Sequence, residues 1–366
     1  MDNATIGDLQ DSRLDAIIDR HRSYWYNGEG DDAPSRRPLL QVNPPHVLEG
    51  SLESHYLEPP PPLDRARFRD SHEKIYAEHG LLRDDLFCSI HTGIPSEVLV
   101  GCRVVQRAGT HWAENCLKDW GQLDDYRIRD APWHQSLLDN TKRAVDAIDS
   151  DKYPFCCMAF RGAVDMVEAM MGGERLCTAV VDNPRELKNL LARITDITIE
   201  TAVAHSALIP TYKGGQFNSY GIWTPGRTTT FTLDGGCLFS PACYEEFFLP
   251  CDQRLCAALD TPFVHLHAAA RQHFSAWAEI DNLGLQCVID QAWMPEGENN
   301  PIGPQLPELL PDFKAIRGRK SLMLYGYWDE EAIDLASTEL DPVGCAITGM
   351  VLDPAAIRRR YIGAAA

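Results

Sequence analysis

The chain has 366 residues, 44% hydrophobic and 24% charged, the mix of a globular protein that buries its own core. Against 53 Asp and Glu stand 34 Lys and Arg, so the formal charge is −19. That excludes general binding to nucleic acid or anionic membranes, which needs an excess of cations.

No run of 18 apolar residues offers a membrane span, and the polar, acidic start has no apolar leader. The expected location is cytoplasmic. The 12 cysteines then read as reduced thiols, most of them small core hydrophobes. There is no CxxC pair, which removes zinc-finger and thioredoxin readings.

Residues 1–35 read as an N-terminal helical extension. Leu14, Ile17 and Ile18 share a helical face, and Asn27-Gly28-Glu29-Gly30 ends the pattern. Residues 36–366 read as one α/β unit. The run 38–42 is a first strand. The proline-rich segment 43–65, with its tetraproline at 59–62, is an extended surface loop or a lid.

From residue 95 strand and helix patterns alternate. Residues 98–105 and 155–160 read as strands, and 162–171 as a helix. Asn183-Pro184-Arg185-Glu186 has the signature of a capped helix start, with the helix running to about 208 and stopped by Pro210. Ser240-Pro241 opens another helix. Four apolar runs follow, at 262–267, 285–289, 321–325 and 345–351, with a helix at 329–339 before the last. Runs apolar on both faces indicate a parallel sheet covered by helices. About eight units predict a (β/α)8 TIM barrel, with a doubly wound sheet as the alternative. No GxGxxG or Walker-type loop supports the nucleotide-binding form of that alternative.

In a barrel the site lies at the C-terminal ends of the strands. His265 and His267 in Phe263-Val264-His265-Leu266-His267 point the same way, because side chains alternate along a strand. Two imidazoles at this spacing make half of a zinc site, and Cys345 at the start of the last run is the candidate third ligand. Arg161, closing a strand before a helix, suits an anion or an acidic neighbour on the rim. The loop from Gly221 through Trp223 and Arg227 to Asp234 supplies an aromatic, a cation and a carboxylate. Trp112, Glu114, Gln291 and Trp293 are further candidates for the wall of a small-molecule pocket.

The stretch Phe160-Arg161-Gly162-Ala163-Val164-Asp165 with Gly172 resembles the uroporphyrinogen decarboxylase superfamily. So do Asp182-Asn183-Pro184-Arg185-Glu186-Leu187, Leu238-Phe239-Ser240-Pro241 with Glu246-Phe247 and Leu249-Pro250, and the strand ending in His265. The resemblance covers residues 95–360 and implies a (β/α)8 barrel. The superfamily holds a porphyrinogen decarboxylase and zinc-dependent, corrinoid-linked methyltransferases. The decarboxylase's arginine-rich motif after its first strand is missing: Asn43-Pro44-Pro45-His46 stands there. Without those arginines a substrate with many carboxylates has little to hold it.

The methyltransferase branch is the closer likeness, with His265 on its histidine, His267 where it has a cysteine, and Cys345 at a similar distance downstream. This implies Zn at His265, His267 and Cys345 in a metal-assisted methyl- or alkyl-transferase, with corrinoid supplied by a partner protein. Arg161 would fix an anionic group, and Trp223 and Trp293 would wall the pocket. The alternative is a metal-free decarboxylase or lyase of a small carboxylated substrate, with Arg161 as anchor and Asp234 or His265 moving protons. A third possibility is a barrel subunit that acts only with a corrinoid protein. A homodimer is compatible with each.

Overall fold

The structure is a computed structural model and describes residues 6–26, 37–44, 54–107, 110–122, 131–289 and 304–363. Among these residues seven strands form one sheet. They are β1 (Leu39–Asn43), β2 (Ala159–Arg161), β3 (Thr230–Thr232), β4 (Phe263–His267), β5 (Gly284–Val288), β6 (Ser321–Tyr327) and β7 (Cys345–Met350). Their order is β1-β7-β6-β5-β4-β3-β2, and every pairing is parallel. This order is cyclic. A doubly wound sheet would reverse direction near its middle, and this one does not.

The two edges approach each other through residues 85–90. Asp85 N–H donates to Leu40 O at 3.0 Å, and Ile90 makes a parallel bridge to Phe155, just ahead of β2. These are isolated bonds, so among the described residues an eighth strand does not complete a closed ladder. The run expected as a strand at 98–105 divides instead. Ser96–Val100 is a 3-10 turn, and Arg103–Arg107 pairs with Thr110–Glu114 in an antiparallel hairpin outside the main sheet. Gly101, at φ 85°, makes the break between them.

Helices follow where the capping chemistry placed them. Ser240 accepts from Cys243 N–H ahead of the helix Pro241–Phe247, and Pro184–Leu208 begins with proline in its first turn. Asn183 makes no side-chain cap, so the expected capping box is not formed there; proline supplies the start instead. Helices Leu306–Arg317 and Glu330–Glu339 carry the chain from β5 to β6 and from β6 to β7.

Side-chain alternation gives the sheet two faces. Leu40, Val264, Leu266, Leu285, Leu322, Leu324, Cys345 and Ile347 pack in the helix-side core. Leu39, Phe263, Met323 and Ala346 form a separate cluster on the opposite, inner face with Tyr24, Leu86 and Ile222. Burying one such Leu or Phe contributes roughly 1.5–3 kcal/mol.

The expected N-terminal helix spans Ile6–Tyr26 and closes the inner face from the N-terminal side of the strands. His21 is fully buried: its Nδ1 accepts from Trp223 N–H at 2.8 Å, and its Nε2 lies 2.7 Å from Asp85 O. Arg20 pairs with buried Asp85 at 2.6 Å, and Arg37 pairs with the same carboxylate. No helix among the described residues is long and apolar enough to cross a membrane.

Candidate metal centre

Register explains how the site assembles. Arg161, Thr232, His265 and Gln286 are successive cross-strand partners, so their side chains share the inner face at one level. His267 lies two residues further along β4, at its C-terminal end. Asp234 follows directly after β3. Its Oδ1 lies 3.5 Å from His265 Nε2 and 3.9 Å from His267 Nε2. The donor atoms of Asp234, His265 and His267 all fall within 4.8 Å of one another. Ligand bonds of about 2.0–2.2 Å at tetrahedral angles put donors about 3.4 Å apart, so the spacing suits a single ion. Asp234 Oδ1 is buried without a hydrogen-bond partner, and a cation would satisfy it.

The neighbours of this triad hold it in place. His265 Nδ1 lies 2.5 Å from Gln286 Oε1 and 2.9 Å from the Tyr220 hydroxyl. Gln286 Oε1 can only accept, so Nδ1 carries a proton, and in the neutral ring the lone pair is on Nε2, toward Asp234. Tyr220 stacks on His265 with ring centroids 6.1 Å apart.

Asp165 is fully buried and accepts from Thr232 Oγ1 at 2.7 Å, from Asp234 N–H at 3.1 Å and from Gly235 N–H at 2.8 Å. Burial, then the charge of Asp234, pushes its carboxyl up to about 7. A Cβ on Gly235 would stand 3.2 Å from Asp165 Oδ1 and 2.9 Å from Glu168 Oε2, so a larger residue there would press on both carboxylates.

Arg161 is committed to an acid. Its Nε donates to Glu97 Oε1 at 2.7 Å, and Glu97 is 1% exposed. Asp165 and Asp234 also act on its charge. The rim reading of Arg161 therefore describes it better than a free anion anchor.

Tyr220 and Gln286 also line a cavity of about 480 Å³ on the inner face, together with Gln41, Tyr76, Arg83 and His91. The volume suits a small molecule.

Several expected site residues lie elsewhere. Cys345 occupies the helix-side core, on the opposite face of the sheet from His265, and burial pushes its thiol up to about 12. Alternation along β7 decides this: Ala346 and Thr348 face inward, so Cys345 faces outward. The carboxylate of Asp234 stands where the thiolate was expected. Trp223 is buried among Phe87, Tyr212 and Phe217, and its carbonyl accepts from Trp25 Nε1, beneath the N-terminal helix. Arg227 precedes β3, at the opposite end of the sheet from Asp234, and pairs with Asp260. Trp112 is 59% exposed on the hairpin, and Glu114 is exposed beside it. Gln291 and Trp293 lie outside the described residues.

Sequence reasoning did not single out Tyr220, Gln286 or Glu97, and it named Asp165 only within a motif. The signal for Gln286 was present: it is a lone amide inside an apolar run.

No protein-family model matches the chain, and no curated protein matches it by sequence. Among solved structures, a methyltransferase from Methanosarcina mazei is similar in fold, with a TM-score of 0.56 at 13% identity, covering 91% of this chain and 92% of that one.

Proposed function

We propose that the chain is a metal-assisted methyl- or alkyl-transferase on a uroporphyrinogen decarboxylase-like (β/α)8 barrel, with Asp234, His265 and His267 holding a zinc ion. One observation carries the reading: two imidazoles and an unsatisfied carboxylate oxygen converge at strand ends, beside a cavity of small-molecule size. The cyclic strand order and the fold likeness to a methyltransferase support it.

A zinc ion in such a donor set supplies Lewis acidity and lowers the pKa of a nucleophile bound to it. The chain's own residues do the rest. Gln286 and Tyr220 fix the His265 ring and its tautomer. Asp165 holds the Asp234 backbone in place. The wall containing Tyr220 and Gln286 receives the small substrate. One carboxylate and two neutral imidazoles leave a divalent ion with a net positive charge, which favours an anionic acceptor. A corrinoid protein is the methyl-carrying partner this reading allows, approaching the strand C-terminal ends.

The metal-free lyase asks Arg161 to hold a substrate carboxylate. Glu97 already holds Arg161, and two further carboxylates lie near it, so the surroundings favour a cation over an anion.

Elemental analysis after purification without chelator tests the proposal. The expected result is close to one zinc per chain, lost in Asp234→Asn and His265→Ala. Less than about 0.2 equivalents of any transition metal in the unsubstituted chain overturns it, because structural and catalytic zinc sites bind tightly enough to survive purification.

A further inference from the structure

Away from the triad, Cys102 and Cys116 flank the hairpin formed by Arg103–Arg107 and Thr110–Glu114. Their sulfur atoms are 3.1 Å apart. A disulfide bond is about 2.05 Å long, so a shift of about 1 Å would join them. Both thiols already sit against fixed backbone. Cys102 Sγ lies 3.9 Å from Ala169 O, and Cys116 Sγ lies 3.7 Å from Val100 O. Asn115 Nδ2 donates to Ala169 O at 3.0 Å, and Leu117 N–H donates to Met170 O at 2.9 Å, so the chain around Cys116 is anchored to the helix Ala163–Met171.

We propose that Cys102 and Cys116 are a redox-modification site, which closes to an intramolecular disulfide on exchange with a small-molecule disulfide. The order of events follows from access. Cys102 is 3% exposed, and Cys116 is half-buried. The hydrogen bond to Cys116 and burial push the Cys102 thiol up, so it makes a poor first nucleophile. The Cys116 thiolate attacks the small disulfide and forms a mixed disulfide, expelling one small thiolate. Cys102 then gives up its proton and attacks the Cys116 sulfur, expelling the second. Two electrons leave the protein dithiol and reduce the small disulfide to two thiols.

The staple would join the two ends of the hairpin, next to the turn that carries Glu97. That turn holds Arg161 through the Glu97 carboxylate and Ser96 Oγ, which accepts from Arg161 N–H at 3.0 Å, and the hairpin reaches Arg161 through His111 O at 3.4 Å. The pair therefore lies beside the segments that hold Arg161 at the rim of the candidate site.

The test is peptide mapping of the reduced full chain after incubation with oxidised glutathione and alkylation of the remaining thiols. The expected product is a crosslinked Cys102–Cys116 peptide, lighter by two hydrogen atoms than the dithiol and reopened by dithiothreitol. Cys102→Ser should trap glutathione on Cys116, and Cys116→Ser should leave Cys102 unreacted. Exposed Cys177 and Cys237 serve as internal controls for exchange. Full alkylation of both Cys102 and Cys116 after Cys177 and Cys237 have exchanged overturns the proposal. So does stable glutathione on Cys116 while Cys102 remains a thiol.

Discussion

Asp165 accepts three hydrogen bonds from residues 232–235, and this places the Asp234 carboxylate opposite two imidazoles. Asparagine at 165 would turn an NH2 group toward one of those donors and lose at least one bond. For the proposed zinc site, Asp165→Asn should weaken binding about 10–100-fold, the usual cost of losing a group that orients a ligand. Competition with a chromophoric chelator reads this directly. Cys345→Ala is the contrasting variant and should leave zinc stoichiometry unchanged. Parity within one strand was legible: His265 and His267 had to face the same way. Parity between strands was not, because nothing in the local sequence says which face of β7 meets which face of β4. That is why spacing pairs Cys345 with the histidines and passes over Asp234, two residues past a short strand, as a ligand.

At the level of elements, the N-terminal helix shows how little its own sequence says about its purpose. Ile17 and Ile18 mark its apolar face, and both are buried. A polar contact docks it as well. Arg20 and Arg37 converge on Asp85, whose second task is to accept from Leu40 N–H at the start of β1. Removing the carboxylate leaves two guanidinium groups without their partner, with side chains only 9% and 22% exposed. Asp85→Ala should therefore cost about 3–5 kcal/mol, the range for breaking a buried pair, measured by denaturant unfolding. Gly349 in β7 shows a constraint of the opposite kind. It has φ 137°, and a Cβ there would stand 1.9 Å from Gly326 O on the adjacent strand. The sequence pattern marked β7 as an apolar run without revealing that its neighbour leaves no room for a side chain.

Across the whole molecule, buried titratable groups set the pH dependence of stability. Burial pushes Asp252 from 3.8 up to about 7, against the bonds donated by Tyr244 and Trp277. A raised carboxyl contributes stability that is fully present below 3.8 and is lost as pH rises through about 7. Burial lowers His21 and His205 from 6.5 to about 4, with the opposite sense: their contribution is present above 6.5 and is lost as pH falls toward 4. The two sets oppose each other between those limits. Asp252→Asn removes one carboxyl, so its stability relative to the unsubstituted chain should rise with pH, by at most roughly 1.4 kcal/mol per unit, and level off above about pH 7. Thermal unfolding of both proteins across this range measures the difference. A variant that tracks the unsubstituted chain at every pH would show that the Asp252 carboxyl keeps its ordinary value in the folded protein.

By itself the sequence determined the class of this protein. Alternating apolar runs and capped helices specify a parallel sheet covered by helices, because hydrophobic periodicity and capping are local properties of the chain. It also determined that two histidines share one face of a strand. Only the tertiary structure decided what meets them. The carboxylate of Asp234, the amide of Gln286, the hydroxyl of Tyr220 and the Glu97 partner of Arg161 come from distant segments, and their convergence depends on strand register and sheet curvature, which no short stretch of sequence encodes.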